Sequence, residues 1–191
     1  MNLLPASRGR RTAVQAAAIF GLRRLLPVGL ALPSLQGLAK AAKSSPRLAP
    51  AFSLPRYSEQ RGVGPVLALE SLRGQWVYLD FWASWCIPCR LSFPFMNELH
   101  RSLGPKGLTV LAVGLDKQMQ RMSDFLKETP ADFSIVWNPD GQVAKLYQVT
   151  AMPTSFVISP KGMVMEEHKG FNQAASATVY QSLRRYLETP Q

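Results

Sequence analysis

The sequence predicts an α/β fold in which one mixed β-sheet carries helices on both faces, with an N-terminal β-hairpin as an extension. Two strands lead to this expectation. Residues 76–82 are rich in aromatic side chains and other strand formers, and residues 108–115 form the continuous apolar run typical of buried parallel strands. Between them, apolar residues such as Leu91, Phe95 and Leu99 recur at helical spacing. This order predicts two parallel strands joined by a crossover helix.

The remaining elements follow from the same patterns of apolar spacing and turn residues. A Ser-Pro-Lys turn at residues 159–161 joins two strands into a hairpin, which adds antiparallel pairing to the parallel unit. The expected elements are strands at 51–54 and 66–69, helices at 86–103 and 118–127, a strand at 133–137, a helix at 142–147, strands at 154–158 and 162–166, and a helix at 174–187.

Charge is distributed unevenly along the chain. Of 191 residues, 22 are Lys or Arg and 12 are Asp or Glu, which gives a formal net charge of +10. A charge of this size suggests an acidic partner such as nucleic acid or a membrane surface. Seven of the bases and none of the acids fall in residues 1–45. Residues 46–191 therefore carry 15 bases and 12 acids, a net charge of about +3. We therefore expect no nucleic-acid partner.

Residues 1–43 have the composition of an export signal. A basic front precedes an apolar stretch, and Ala39 and Ala41 supply the small residues that a cleavage site requires. Arg10-Arg11 is a candidate twin-arginine signal, so both the Sec and the twin-arginine routes are open. We expect the mature chain to begin between Ala39 and Ser44 and to work in the periplasm or elsewhere outside the cytoplasm. The expected boundaries are an export segment at 1–43, a linker at 44–50 and a folded domain at 51–191.

The chain has two cysteines, Cys86 and Cys89, at the junction of a predicted strand and a predicted helix. Such a pair also occurs in zinc sites, haem attachment sites and structural disulfides. A zinc site needs about four ligands, and His100 and His168 are the only histidines available. Haem attachment needs a histidine directly after the second cysteine, where this chain has Arg90. A structural disulfide across two residues would constrain the unfolded chain little, so redox chemistry is favoured.

The helix position assigns a role to each sulfur. Cys86 lies at the predicted start of the helix, where unpaired backbone N–H groups and the helix dipole favour a thiolate. Cys89 lies one turn deeper, within bonding distance of Cys86 and shielded from solvent. Pro88 fixes φ within this turn and so shapes the geometry of the pair. We therefore expect Cys86 to attack a substrate and Cys89 to resolve the product.

Two segments resemble the thioredoxin superfamily. The first is the run Leu79-Asp80-Phe81-Trp82-Ala83-Ser84-Trp85-Cys86-Ile87-Pro88-Cys89, with Pro94 five residues later, which resembles the active-site segment of that superfamily. The second is Ala151-Met152-Pro153-Thr154, which resembles the cis-proline loop of that superfamily. The N-terminal hairpin and the helix at 118–127 are most similar to the TlpA/ResA group of exported reductases. The resemblance covers about residues 50–188 and implies that the mixed sheet is thioredoxin-like.

The resemblance implies roles that spacing alone does not assign. Pro153, in the cis form, is expected to pack against the cysteine pair, and Met152 to present its backbone to an incoming peptide. Trp85 flanks the site and is expected to contact substrate. Asp80 matches the buried acid that accepts the proton of the resolving thiol in cytoplasmic thioredoxins, a role that requires burial. No cofactor and no metal site are implied.

The resemblance also implies the direction of the chemistry. Ile87-Pro88 lacks the histidine that strongly oxidising members place between their cysteines, so we expect a reductant of disulfides in exported proteins. We expect the protein to be a monomer. In the family such proteins serve cytochrome c maturation, oxidase assembly or general thiol reduction, and receive electrons from a membrane thiol carrier. Two other classes remain open. One is a metallochaperone that binds Cu(I) through the same cysteines, and the other is a binding module without redox activity.

Overall fold

The computed structural model describes residues 47–58 and 61–189. The export segment predicted for residues 1–43 lies outside these ranges and stays a prediction. No helix within the described ranges is long and apolar enough to cross a membrane.

The described residues form one sheet of eight strands with four helices, in the spatial order β1-β8-β7-β4-β5-β6-β2-β3. Short 3-10 turns follow β3 and α1. The elements are β1 Arg47–Leu48, β2 Ser53–Ser58, β3 Gly62–Ala68, β4 Trp76–Trp82, α1 Ile87–Leu103, β5 Leu108–Gly114, α2 Met119–Glu128, β6 Ser134–Trp137, α3 Gln142–Leu146, β7 Thr154–Ile158, β8 Met163–Lys169 and α4 Gln173–Glu188.

The sheet is mixed, as the sequence predicts. Strand β4 pairs in parallel with β5 along its whole length, from Trp76 opposite Leu108 to Trp82 opposite Gly114. On its other side β4 is antiparallel to β7, with Phe81 opposite Thr154. The carboxyl ends of β4 and β5 therefore lie side by side, next to the amino end of β7. The loops that adjoin these three strand ends therefore meet at this end of the sheet.

Helices cover both faces of the sheet, because side chains of β4 alternate between two cores. On one face, Trp76, Tyr78 and Trp82 pack in a cluster with apolar residues of α1, α2 and α4. On the other face, Val77, Leu79 and Phe81 pack with residues of α3 and of the N-terminal segment. All seven residues of β4 are buried, which explains why its sequence shows no polar alternation.

The N-terminal region differs from expectation in its boundaries. The expected hairpin forms, but β2 and β3 run longer than residues 51–54 and 66–69, because β2 also pairs with β6, placing Tyr57 opposite Ile135. Pairing also starts inside the segment predicted as a linker, since Arg47 lies opposite Val164 of β8. An edge strand offers unpaired backbone groups to a neighbouring chain segment, which explains the added strand.

Candidate active site

The cysteine pair lies at the junction between the end of β4 and the start of α1. Strand β4 ends at Trp82, and a tight turn follows in which the Cys86 backbone N–H donates to the Ala83 carbonyl oxygen at 3.0 Å. Cys86 has extended backbone angles (φ −86°, ψ 101°) and occupies the cap position immediately before α1. Cys89 lies in the first turn, where its N–H donates to the Cys86 carbonyl oxygen at 3.1 Å. The structure thus places both cysteines at the amino end of a helix.

Cys86 and Cys89 are joined by a disulfide, with their Cα atoms 5.3 Å apart. The two sulfurs are in unequal surroundings. Cys89 is fully buried, whereas Cys86 retains 5% exposure and lines an open groove. An incoming reactant in the groove therefore meets Cys86 first.

The groove has a volume of about 550 Å³ and is mainly apolar. Three segments form it: the turn before α1 with the first residues of that helix, Leu115 directly after β5, and the stretch from α3 to the loop before β7. Trp85 and Ile87 stand at its margin and are 62% and 79% exposed, which is unusual for side chains of this size. The lining residues are Trp85, Cys86, Ile87, Pro88, Leu115, Ala144, Val149, Thr150, Ala151 and Met152.

The loop before β7 lines the same groove as Cys86, through Met152. The peptide bond between Met152 and Pro153 is cis, as expected. Met152 packs against the core cluster that contains both cysteines and lines the groove together with Cys86. Pro153 is buried, and its carbonyl oxygen accepts a hydrogen bond of 2.7 Å from the Gly170 N–H. Two segments distant in the sequence thus form one site because β7 lies beside β4.

Asp80 is buried inside the sheet, with 1% of its surface exposed. The alternation of β4 directs its side chain to the same face as Tyr78 and Trp82, which belong to the cluster containing Cys89. Its Oδ2 atom has no hydrogen-bond partner among the described residues. Burial raises the pKa of Asp80 well above its usual value, so its carboxylate binds a proton more readily than an exposed carboxylate does. The burial that a proton-accepting role requires is therefore present.

Asp116 is a site residue that the sequence analysis missed. It is 1% exposed, and its carboxylate accepts hydrogen bonds from the Ser84 backbone N–H at 2.8 Å and the Ser84 hydroxyl at 2.6 Å. Its carbonyl oxygen accepts a third bond from Trp137 Nε1 at 2.7 Å. Asp116 therefore holds the turn that precedes Cys86. Its position just past the end of β5, beside the end of β4, is the signal that could have identified it.

The two histidines do not line the groove. His168 belongs to β8, where its Nε2 atom is 3.0 Å from Glu166 Oε2, and His100 lies in α1, near its C-terminal end. Within residues 47–58 and 61–189, no group of three or more His, Cys, Asp or Glu side chains could hold a metal ion.

The position of the disulfide decides the class of protein. A Cys-x-x-Cys pair at a strand-to-helix junction of an α/β sheet is the redox motif of thioredoxin-like proteins, and here a cis-proline loop faces it. Fold and site together are those of thioredoxin-fold proteins that carry a redox Cys-x-x-Cys motif. A model of the AhpC/TSA family matches residues 47–167, more than half of the chain, and the chain belongs to that family.

Individual relatives agree with this class. The thiol-disulfide oxidoreductase ResA of Bacillus thuringiensis subsp. konkukian is 35% identical over 107 residues, which are 56% of this chain and 62% of the relative. ResA of Bacillus subtilis is 31% identical over 135 residues, covering 71% of this chain and 75% of that protein. A crystal structure from Chlorobium tepidum, described as a thiol:disulfide interchange protein DsbE, is 40% identical with a TM-score of 0.70. It matches 76% of this chain and 99% of its own. The resemblance to ResA expected from the motifs is confirmed.

Proposed function

We propose that this protein reduces disulfides of exported proteins through a Cys86/Cys89 dithiol. One observation carries the proposal: the two sulfurs form a disulfide in which Cys86 faces an apolar groove and Cys89 is fully buried. One sulfur is therefore accessible to a substrate, and the other can react only with its neighbour. The exposed Trp85 and Ile87 beside Cys86 provide an apolar surface for a polypeptide, which a small thiol would not require.

Each step of the proposed reaction uses a named group. The Cys86 thiolate attacks a substrate disulfide, forms a mixed disulfide and releases one substrate thiolate. The Cys89 thiol then loses its proton to the Asp80 carboxylate and attacks Cys86 Sγ. This attack breaks the mixed disulfide and releases the second substrate thiolate. The protein is then oxidised, with the Cys86–Cys89 disulfide seen in the structure. An external dithiol, proposed to be a membrane thiol carrier, reduces this disulfide with two electrons.

The groove supplies the remaining contacts. Pro88 fixes the first turn of α1, so Cys86 is held at the groove. Met152 lies two residues before β7 and lines the groove, where its backbone is proposed to pair with an extended substrate segment next to the cis bond to Pro153. Backbone pairing of this kind binds a polypeptide with little regard to its sequence, so selectivity must come from the side chains around it.

Insulin reduction tests the proposed activity. With dithiothreitol as electron donor, the protein is expected to accelerate reduction and precipitation of insulin well above the rate with dithiothreitol alone. A Cys86→Ser/Cys89→Ser double variant is the control and should give the background rate. Equal rates for the two proteins would exclude the reductase. Titration of the reduced protein with Cu(I) tests the metallochaperone alternative, which predicts tight binding that needs both sulfurs and no insulin reduction.

Export is the second part of the proposal and rests on the composition of residues 1–43. The protein isolated from its native cell envelope fraction is expected to begin between Ala39 and Ser44. Intact-mass spectrometry measures this start directly. A chain that retains Met1 and is recovered from the cytoplasm would contradict export, while leaving the insulin result unaffected.

A further inference from the structure

A second, basic cleft adjoins the groove. It has a volume of about 310 Å³ and shares Trp85 and Leu115 with the apolar groove. Its other lining residues come from the segment after β5 and the start of α2: Asp116, Lys117, Gln118 and Arg121. Trp85 immediately precedes Cys86 in the chain. A substrate bound at Cys86 therefore lies in the apolar groove and close to this cleft.

The cleft is cationic because its bases are not neutralised by neighbours. Lys117 and Arg121 are exposed, and neither forms an ion pair with any residue in the described ranges. Asp116 is the acidic residue of the lining, but it is buried, and its carboxylate oxygens are engaged by Ser84. Asp124, one turn beyond Arg121, accepts hydrogen bonds from Lys127 and Gln120. Two positive charges thus face solvent beside the reactive disulfide.

An extended polypeptide matches this arrangement of surfaces. In a strand, alternate side chains point to the same side, so residues two positions before and after a cysteine face the same surface as the cysteine itself. They lie about 7 Å to either side of it. A segment that runs from the apolar groove past Trp85, with its cysteine at Cys86, would place one of these residues in the groove and the other near Lys117 and Arg121.

We propose that Lys117 and Arg121 select polypeptides with an acidic residue two positions from the reactive cysteine and an apolar residue on its other side. This inference rests on the proposed reductase function and adds a substrate class to it. The contact is electrostatic and exposed, so it raises the rate of encounter and weakens with salt. It leaves the exchange chemistry at the sulfurs unchanged.

Peptide mixed disulfides test the proposal. Each peptide carries one cysteine disulfide-bonded to 2-mercaptoethanol, leucine two positions to one side, and Glu, Gln or Lys two positions to the other, in both orders. The reduced protein converts each to the peptide thiol and free 2-mercaptoethanol while Cys86 and Cys89 form their disulfide. At low salt the second-order rate constant for one order of the Glu peptide should exceed that of its Lys counterpart about threefold to tenfold.

Two double variants locate the effect. Lys117→Gln/Arg121→Gln should bring the Glu-to-Lys rate ratio close to one. Lys106→Gln/Lys161→Gln removes the same charge, but these residues precede β5 and follow β7, at the opposite end of the sheet from the groove. This control should keep the wild-type ratio. The proposal is overturned if the wild-type ratio is near one, if the cleft variant retains it, or if the control loses it equally.

An uncharged substrate separates this inference from the proposed function. Bis(2-hydroxyethyl) disulfide carries no group for the cleft to recognise, so its reduction by the wild-type protein reports disulfide exchange alone. If the wild-type protein reduces neither this compound nor insulin, the reductase function itself fails. If it reduces both but shows no preference for the Glu peptide, the function stands and the specificity of the cleft is wrong.

Discussion

Replacing Cys89 with serine is expected to turn the protein into a trap for its own substrates. In the Cys89→Ser variant the Cys86 thiolate, which lines the groove, still attacks a substrate disulfide, but no second thiol is available to break the mixed disulfide. Turnover should fall to background, and a covalent adduct should accumulate at one substrate per chain. Non-reducing electrophoresis and intact-mass spectrometry measure the adduct, which a reductant should release.

The Cys86→Ser variant is the matched control. Its remaining thiol, Cys89, is fully buried beneath the groove, so no adduct should form even though the same number of thiols is present. The assignment of the two sulfurs would be reversed if Cys86→Ser formed the adduct and Cys89→Ser did not. Equal trapping by both variants would show that the difference in burial does not control access.

Replacing Asp80 with asparagine is expected to stabilise the folded protein at alkaline pH. Burial raises the folded-state pKa of Asp80 above its usual value of 3.8, so the folded protein holds a proton that the unfolded chain releases. Stability contributed by this group therefore falls as pH rises from about 3.8 through the folded-state pKa. Asparagine does not titrate, so the stability of the variant lacks this decrease with rising pH.

Urea unfolding of the oxidised proteins measures the difference, because disulfide-bonded cysteines do not titrate. At pH 8 the Asp80→Asn variant should be more stable than the wild type by on the order of 1–3 kcal/mol, and the gain should shrink as pH approaches 4. Glu188→Gln, at the exposed end of α4, is a control that should change the pH dependence little. A variant no more stable than the wild type at pH 8 would show that the Asp80 charge is compensated.

The same substitution is expected to slow catalysis. In the proposed reaction the Asp80 carboxylate takes the proton of the Cys89 thiol, so its loss should slow resolution of the mixed disulfide about 10- to 100-fold at pH 7. Raising the pH toward 9 should recover part of the loss, because hydroxide then deprotonates the thiol directly. A purely structural role for Asp80 predicts no such recovery, so the pH profile of insulin reduction distinguishes the two roles.

Several structural features could be predicted from sequence because their signals are local. The bounds of β4 are those expected, and α1 begins one residue later than predicted. Hydrophobic periodicity, turn residues and the spacing of Cys86 and Cys89 all operate within one or two turns of chain. The cis bond before Pro153 was expected from a motif resemblance rather than from physical reasoning, since periodicity and spacing give no information about it.

By itself, the sequence determined the order of the elements, the helix-end position of the cysteines and the class of chemistry. Tertiary structure decided which other residues serve the site. Lys117 and Arg121 carry no local signal, and together with Asp116 they lie near the cysteines because the parallel pairing of β4 and β5 places the loops after both strands side by side. The burial of Asp80 has the same origin, since a charged residue in a strand is shielded only when neighbouring strands and helices close over it. Contacts between residues far apart in the chain depend on strand order and register, which short-range patterns do not encode.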